Sequence, residues 1–214
     1  AVKSGSFNCA SRGMIIRLKG KTSHAAHPEN GVSPALAMCS IIESLAALPE
    51  TLTQRSWVTV IHASLGEIAF GTSPGDAVVM ATLRSETNEA MESLVNAATE
   101  IAQELAQQHG LTWSLEWQDV FQASVNSQLG AELVVKACQS TQTPCHILKE
   151  PMRWSEDFGQ FTAVAKEGAM FVLGSGSKSP QLHNPDYDFP DELIPVGKAV
   201  FADLIEQING LNRA

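Results

Sequence analysis

Four places in the chain hold residues whose types and spacing could do chemistry. The stretch GKTSHAAHPENG, Gly20 to Gly31, sets His24 and His27 three residues apart. Two imidazoles at that spacing share one face of a helix, but Gly20, Pro28, Asn30 and Gly31 mark a loop, so the spacing implies no common ligand sphere. A loop histidine is also read as a solvent-exposed or hydrogen-bonded side chain. In WSEDF, Glu156 and Asp157 follow Ser155. Capping and the helix dipole account for acidic residues in a first helical turn, and a part in chemistry is the alternative. His183 stands in SPQLHNPDYDFPDE, after a glycine/serine turn that follows a strand-like run. α/β sheets place ligand sites at such carboxyl ends, yet one imidazole cannot hold a metal, because catalytic zinc takes about three protein ligands. His146 falls inside a strand-like run and reads as structural. Arg84, near the end of an otherwise apolar strand, is either a solvated edge residue or a fork for a substrate carboxylate. No GxSxG elbow or Walker-type loop is present, and LGSGSKS lacks the following helix that would present its amides to phosphate.

The elements that must position these residues follow from periodicity. GMIIRL, residues 13 to 18, predicts a short strand feeding the histidine loop. Ser33-Pro34 offers an N-cap and a first-turn proline, and Met38, Ile41, Ile42 and Leu45 recur at helical spacing up to a stop near Pro49. Residues 56 to 66 and 76 to 85 read as strands joined by EIAFGTSPG. A second helix carries Met91, Leu94, Val95, Ala98, Ile101, Ala102 and Leu105 in one stripe, with Gly110 placed to end it. LTWSLEWQ then alternates, setting Leu111, Trp113, Leu115 and Trp117 on one face. The order β-α-β-β-α-β predicts an α+β, ferredoxin-like unit in which two helices cover one face of a four-stranded antiparallel sheet. Beyond Gln118 the pattern changes to a helix over 131 to 140, a strand CHILKE, a helix opening at Ser155, a strand AMFVLG, the His183 loop and a last helix. Val196, Val200, Leu204, Ile208 and Leu211 form that helix's apolar stripe. This resembles the tail of an α/β domain with a thin sheet.

Composition narrows the function. A chain of 214 residues at 44% hydrophobic content buries a sizeable core. Its formal charge of −9 argues against attraction to nucleic acid or an anionic membrane and favours small molecules or proteins as partners. No run of about 18 apolar residues spans a bilayer, and no signal-type start is seen. Cys9, Cys39, Cys138 and Cys145 are scattered without a C-x-x-C pair, which reads as reduced thiols and a cytoplasmic setting. The opening AVKSGSF, without methionine, suggests a cut within a longer protein or a start made by processing.

With its motifs in order the chain resembles the co-catalytic zinc amidohydrolases and peptidases, the family of aminoacylase, carboxypeptidase G, succinyl-diaminopimelate desuccinylase and the hippurate and indole-acetyl-amino-acid hydrolases. GKTSHAAHP, WSEDFGQF and LGSGSKSPQLHNPDYDF carry the likeness, over the whole length. The resemblance implies a lid and dimerisation domain at residues 13 to 118, inserted in an incomplete α/β catalytic domain made of residues 1 to 12 and 119 to 214. It implies that His24 is a catalytic group that reaches a partner subunit's site and polarises the scissile carbonyl. It further implies that Arg84 and Gly174 bind substrate, that Glu156 and Asp157 support the pocket, and that His183 is a metal ligand. The cofactor would be zinc or another divalent metal, two ions per complete site, with this chain supplying one ligand. A homodimer acting on N-acyl amino acids or small peptides is expected, inactive without the family's N-terminal catalytic half. Gly71-Thr72-Ser73-Pro74 stands where relatives carry an asparagine-valine-isoleucine-proline turn, which bears on substrate preference. The rival readings are a non-catalytic dimerisation or binding module and a ferredoxin-like regulatory domain. The second of these leaves the His183 segment unexplained.

Overall fold

A computed structural model describes residues 1–210. The chain divides into two compact units, one made of residues 8–123 with 153–156 and the other of residues 1–7, 124–152 and 157 onward.

The first unit runs β1 (Ala10–Lys19), α1 (Ala35–Thr51), β2 (Ser56–Leu65), β3 (Asp76–Ser85), α2 (Asn88–Gln108) and β4 (Thr112–Phe121). All four strands are antiparallel, in the spatial order β2-β3-β1-β4. The α+β, ferredoxin-like expectation is therefore met. Alternation decides which face is buried. Met14, Ile16 and Leu18 of β1 and Ala77, Val79, Ala81 and Leu83 of β3 are almost wholly buried. They pack with Ala37, Ile41 and Leu45 of α1 and Met91, Leu94, Ala98 and Ala102 of α2 in one core. The intervening residues Ile15, Met80, Thr82 and Arg84 fall on the opposite face. A bulge at Ile61 shifts the register between Val60 and His62 and leaves Ile61 61% exposed.

The helix ends follow local chemistry. Thr87 Oγ1 accepts from the Ala90 amide and opens α2. At the other end Gly110, at φ 66°, lets its own amide reach Gln107 O and the Leu111 amide reach Ala106 O, a paired closure of the last carbonyls. α1 opens one residue later than expected, with Pro34 at the cap, and continues past Pro49 to Thr51. β1 is longer than the six residues expected, because its first residues pair with the end of β3.

The second unit holds α3 (Gln128–Ser140), α4 (Gly159–Val164) and α5 (Leu193–Asn209). Val2, Ala131, Val134, Ala137, Cys138 and Val200 form its core, against which Cys145, Phe171 and Leu204 pack. Two expectations need correction here. CHILKE forms no laddered strand; Ile147 alone makes an isolated parallel bridge to Val2. AMFVLG forms none either: Val172 exchanges backbone bonds with Ala1 at 2.9 and 2.7 Å, and at Met170 a side chain stands in for a neighbouring strand. Asn126 Nδ2 donates to Met170 O at 2.8 Å, and its Oδ1 accepts from the Met170 amide at 2.7 Å. An extended segment becomes a strand only when a neighbour supplies a run of backbone partners. The helix expected to open at Ser155 begins at Gly159 and lasts six residues. On α5, Val196, Val200 and Leu204 turn inward as expected, but Ile208 is 66% exposed. Leu211 lies outside the described residues.

Candidate functional site

His24 sits on a small arm at one end of the sheet. After β1 the chain makes a two-residue strand, Ser23–His24, paired antiparallel with Thr72–Ser73. The Ala25 amide donates to Gly71 O at 3.0 Å, the Gly20 amide to Gly75 O at 2.8 Å, and Lys21 exchanges backbone bonds with Val32. Glycine is required where these segments touch. A Cβ at Gly20 would lie 2.0 Å from Val32 O, and one at Gly75 would lie 2.6 Å from the Thr22 amide nitrogen. The arm is thus built from backbone, and its imidazole stays exposed.

His24 is also held in one tautomer. Its Nδ1 accepts from the Ala26 amide at 3.1 Å. A neutral imidazole that accepts at Nδ1 carries its proton on Nε2, so the outward nitrogen is a hydrogen-bond donor. His27 differs: its Nδ1 lies 3.4 Å from Glu29 Oε1 and its ring centroid is 6.1 Å from that of His24. Among the described residues neither histidine belongs to a group of three His, Cys, Asp or Glu that could hold a metal. Loop residues that the sequence assigned to a mere connection, Thr72–Ser73, prove to be the arm's second strand. Their partner could not be named without knowing that Ser23–His24 would pair.

Arg84 is near the far end of β3, eight residues from Asp76 beside the arm, or roughly 26 Å along an extended strand. One small substrate cannot touch His24 and Arg84 of the same protomer. The Arg84 side chain is half-buried, and its Nη1 donates to Arg153 O at 3.1 Å and Ser155 Oγ at 2.8 Å. Nη1 thereby uses both its hydrogens, leaving the Nε and Nη2 donors of the fork. On this face of the sheet a cleft of about 220 Å³ is lined by Ser11, Ile15, Ile61, Met80, Thr82 and Arg84, among others. The strap of residues 153–156 is secured further by Arg153, whose guanidinium lies 4.9 Å from the Trp57 ring centroid, and by the Cys9 amide, which donates to Trp154 O at 3.2 Å. Nothing in sequence spacing announced this strap. Burial, then Glu86, push the Cys9 thiol up to about 11 against the opposing pull of Arg84, Arg153 and Arg55, which leaves it protonated and no nucleophile.

The other expected residues are exposed. Glu156 and Asp157 precede α4 and lie outside its first turn, so capping does not explain them; Ser155 Oγ is engaged by Arg84 instead. Gly174 is exposed, with open space where a Cβ would stand. His183, exposed, takes a left-handed backbone at φ 76° in the turn closed by the Asn184 amide on Gln181 O. Among the described residues no three His, Cys, Asp or Glu side chains cluster to hold a metal. His183 offers a single exposed imidazole, which holds no metal by itself. No helix among the described residues is long and apolar enough to cross a membrane.

Comparison with known proteins places these observations. The family model described as the peptidase dimerisation domain matches residues 8–110. The chain is 26% identical over 229 residues to IAA-amino acid hydrolase ILR1-like 2 of Arabidopsis thaliana, covering 97% of the chain and 49% of that protein. It is 25% identical over 200 residues to an N-acetyldiaminopimelate deacetylase of Oenococcus oeni, covering 90% and 50%. The chain spans about half the length of the curated relatives it matches. Its fold is shared with the crystal structure of the Bacillus subtilis YXEP protein, a dinuclear metal-binding peptidase of the M20 family, at TM-score 0.75 and 18% identity over 97% of this chain and 52% of that one. The family model spans three of the sheet's four strands and both covering helices, ending before β4, so residues 8–110 match the peptidase dimerisation domain.

Proposed function

We propose that this chain is the lid and C-terminal part of a dimeric, metal-dependent amidohydrolase that cleaves N-acyl amino acids or small peptides. The observation that carries the reading is the His24 arm: an exposed imidazole with its donor proton fixed on the outward Nε2, mounted on backbone at one end of the sheet. Such a donor is suited to the carbonyl oxygen of an amide as it gains negative charge. Because Arg84 lies at the other end of the strand, His24 serves the active site of a second copy and Arg84 holds a carboxylate of its own protomer's substrate. His183 contributes one ligand to a divalent metal pair whose remaining ligands come from the catalytic segment that the longer relatives possess. When bound, that metal pair supplies Lewis acidity and an activated water. This chain's residues bind and orient the substrate and donate to the oxyanion. Residues 1 to 214 alone hydrolyse no substrate on this reading.

The copies meet through β2. That strand, SWVTVIHASL, is an edge of ten residues without Asp, Glu, Lys, Arg or Pro, whereas β4 at the other edge carries Glu116 and Asp119. Long uncharged edges persist in proteins when something pairs with them. Two β2 strands side by side would give one continuous sheet.

The test is His24→Ala in the enzyme that joins this chain to a complementary catalytic segment. Turnover of an N-acyl amino acid should fall about a hundredfold or more, the usual cost of one oxyanion donor. Turnover within a few-fold of the parent would exclude the role. Mixing the His24→Ala enzyme with one disabled at a metal ligand should restore activity in mixed dimers, which would separate action in trans from action in cis.

A further inference from the structure

A feature outside this site joins two cysteines that the sequence leaves seven residues apart. α3 ends in a closure like that of α2, but with Gln142 in the left-handed position that glycine holds in α2. The Gln142 amide donates to Gln139 O at 3.1 Å and the Thr143 amide to Cys138 O at 2.8 Å. This pairing turns the chain back over the last turn of the helix. Pro144 then prevents any return to helix, and the next residue, Cys145, packs against the same buried cluster that holds Cys138. Cys138 and Cys145 thus meet in one cluster beside the end of α3. Both are free, Cys138 buried and Cys145 partly exposed.

We propose that Cys138 and Cys145 are a redox-active dithiol that closes to a disulfide. Closure would tie the end of α3 to residues 145–147, the segment that takes the Val2 amide on His146 O and bridges Val2 through Ile147. The natural oxidant is a small-molecule disulfide of the glutathione type. The more accessible Cys145 thiolate attacks one sulfur of the oxidant, forming a mixed disulfide and expelling one glutathione thiolate. Cys138 then gives up its proton to solvent and attacks the Cys145 sulfur, expelling the second glutathione. Two electrons pass from the protein dithiol to the reagent, one intramolecular S–S bond forms, and one S–S bond of the oxidant is lost.

The order of attack follows from environment. Burial, and next the neighbouring Cys145, raise the Cys138 thiol to about 11, so it is almost wholly protonated near neutrality and cannot start the exchange. It acts only once the sulfur to be attacked is already beside it.

The experiment uses the protein with the exposed Cys39 replaced by Ser, which leaves three of its four cysteines. After equilibration with oxidised glutathione and acid quenching, it is alkylated in denaturant and analysed by intact and peptide mass. One alkylated thiol, Cys9, should remain, with the Cys138 and Cys145 peptides joined and no glutathione retained. Adding Cys138→Ser should strand glutathione on Cys145, whereas adding Cys145→Ser should leave Cys138 unmodified. Three alkylated thiols under conditions that fully oxidise dithiothreitol would overturn the proposal. So would a persistent glutathione adduct on Cys145 while Cys138 is present, or a bond to Cys9. If the serine variants do not fold, the pattern with both cysteines in place decides alone.

Discussion

His24 and Arg84 differ in how far their residue types announced them. Loop glycines and proline around His24 imply an exposed imidazole, and the structure has one. Its tautomer, which decides whether it can donate, depends on an amide two residues away and could not be read from spacing. Arg84 was legible as a strand arginine, but not as one with half its guanidinium already committed to Ser155 and Arg153. That commitment sharpens its expected behaviour. Arg84→Lys keeps the charge but supplies neither the two remaining fork donors nor the grip on the strap. KM for a carboxylate-bearing substrate should rise about tenfold to a hundredfold, the worth of a charged hydrogen bond, with kcat moved much less. Steady-state kinetics on an N-acyl amino acid, and on its amide as the carboxylate-free control, check this. An equal loss on both substrates would contradict carboxylate binding.

At the scale of elements, strands with period-two alternation and a laddered neighbour were readable, and those lacking the neighbour were not. TWSLEWQ and DAVVMATLRS announced β4 and β3, because a half-buried antiparallel sheet needs that pattern. AMFVLG has the same apolar character, yet Met170 is met by the Asn126 amide group and Val172 by the backbone of Ala1, partners that no periodicity reveals. The turn that brings Cys145 back to Cys138 is hidden for a similar reason: Gln142 is not the residue type that signals a left-handed stop. The two helix closures give a matched test. A Cβ added at Gly110 would find no atom within 4 Å, so Gly110→Ala would meet only the conformational cost, and unfolding free energy should fall by about 1 kcal/mol. Gln142→Gly should raise it by a similar ~1 kcal/mol, since glycine relieves the same backbone strain. Urea denaturation of each variant checks the opposite signs.

For the whole molecule, the unguarded β2 edge is the feature with the widest consequence for assembly. Ile61, at the bulge and mostly exposed, can take a charge without disturbing the core. Ile61→Lys should therefore convert the proposed β2-paired dimer to monomer in sedimentation equilibrium while leaving the circular dichroism spectrum intact. The activity attributed to His24 should fall with it, because the imidazole would have no second copy to serve. An unaltered dimer would move the interface away from β2.

The strap at residues 153–156 limits how the first unit could travel between proteins. Excision at residues 8 and 123 would look clean in the sequence, yet it would strip atoms from Cys9, Trp57 and Arg84 that only a distant tetrapeptide supplies. Recombination that moves this unit must therefore preserve two separate pieces of chain, residues 8–123 and 153–156.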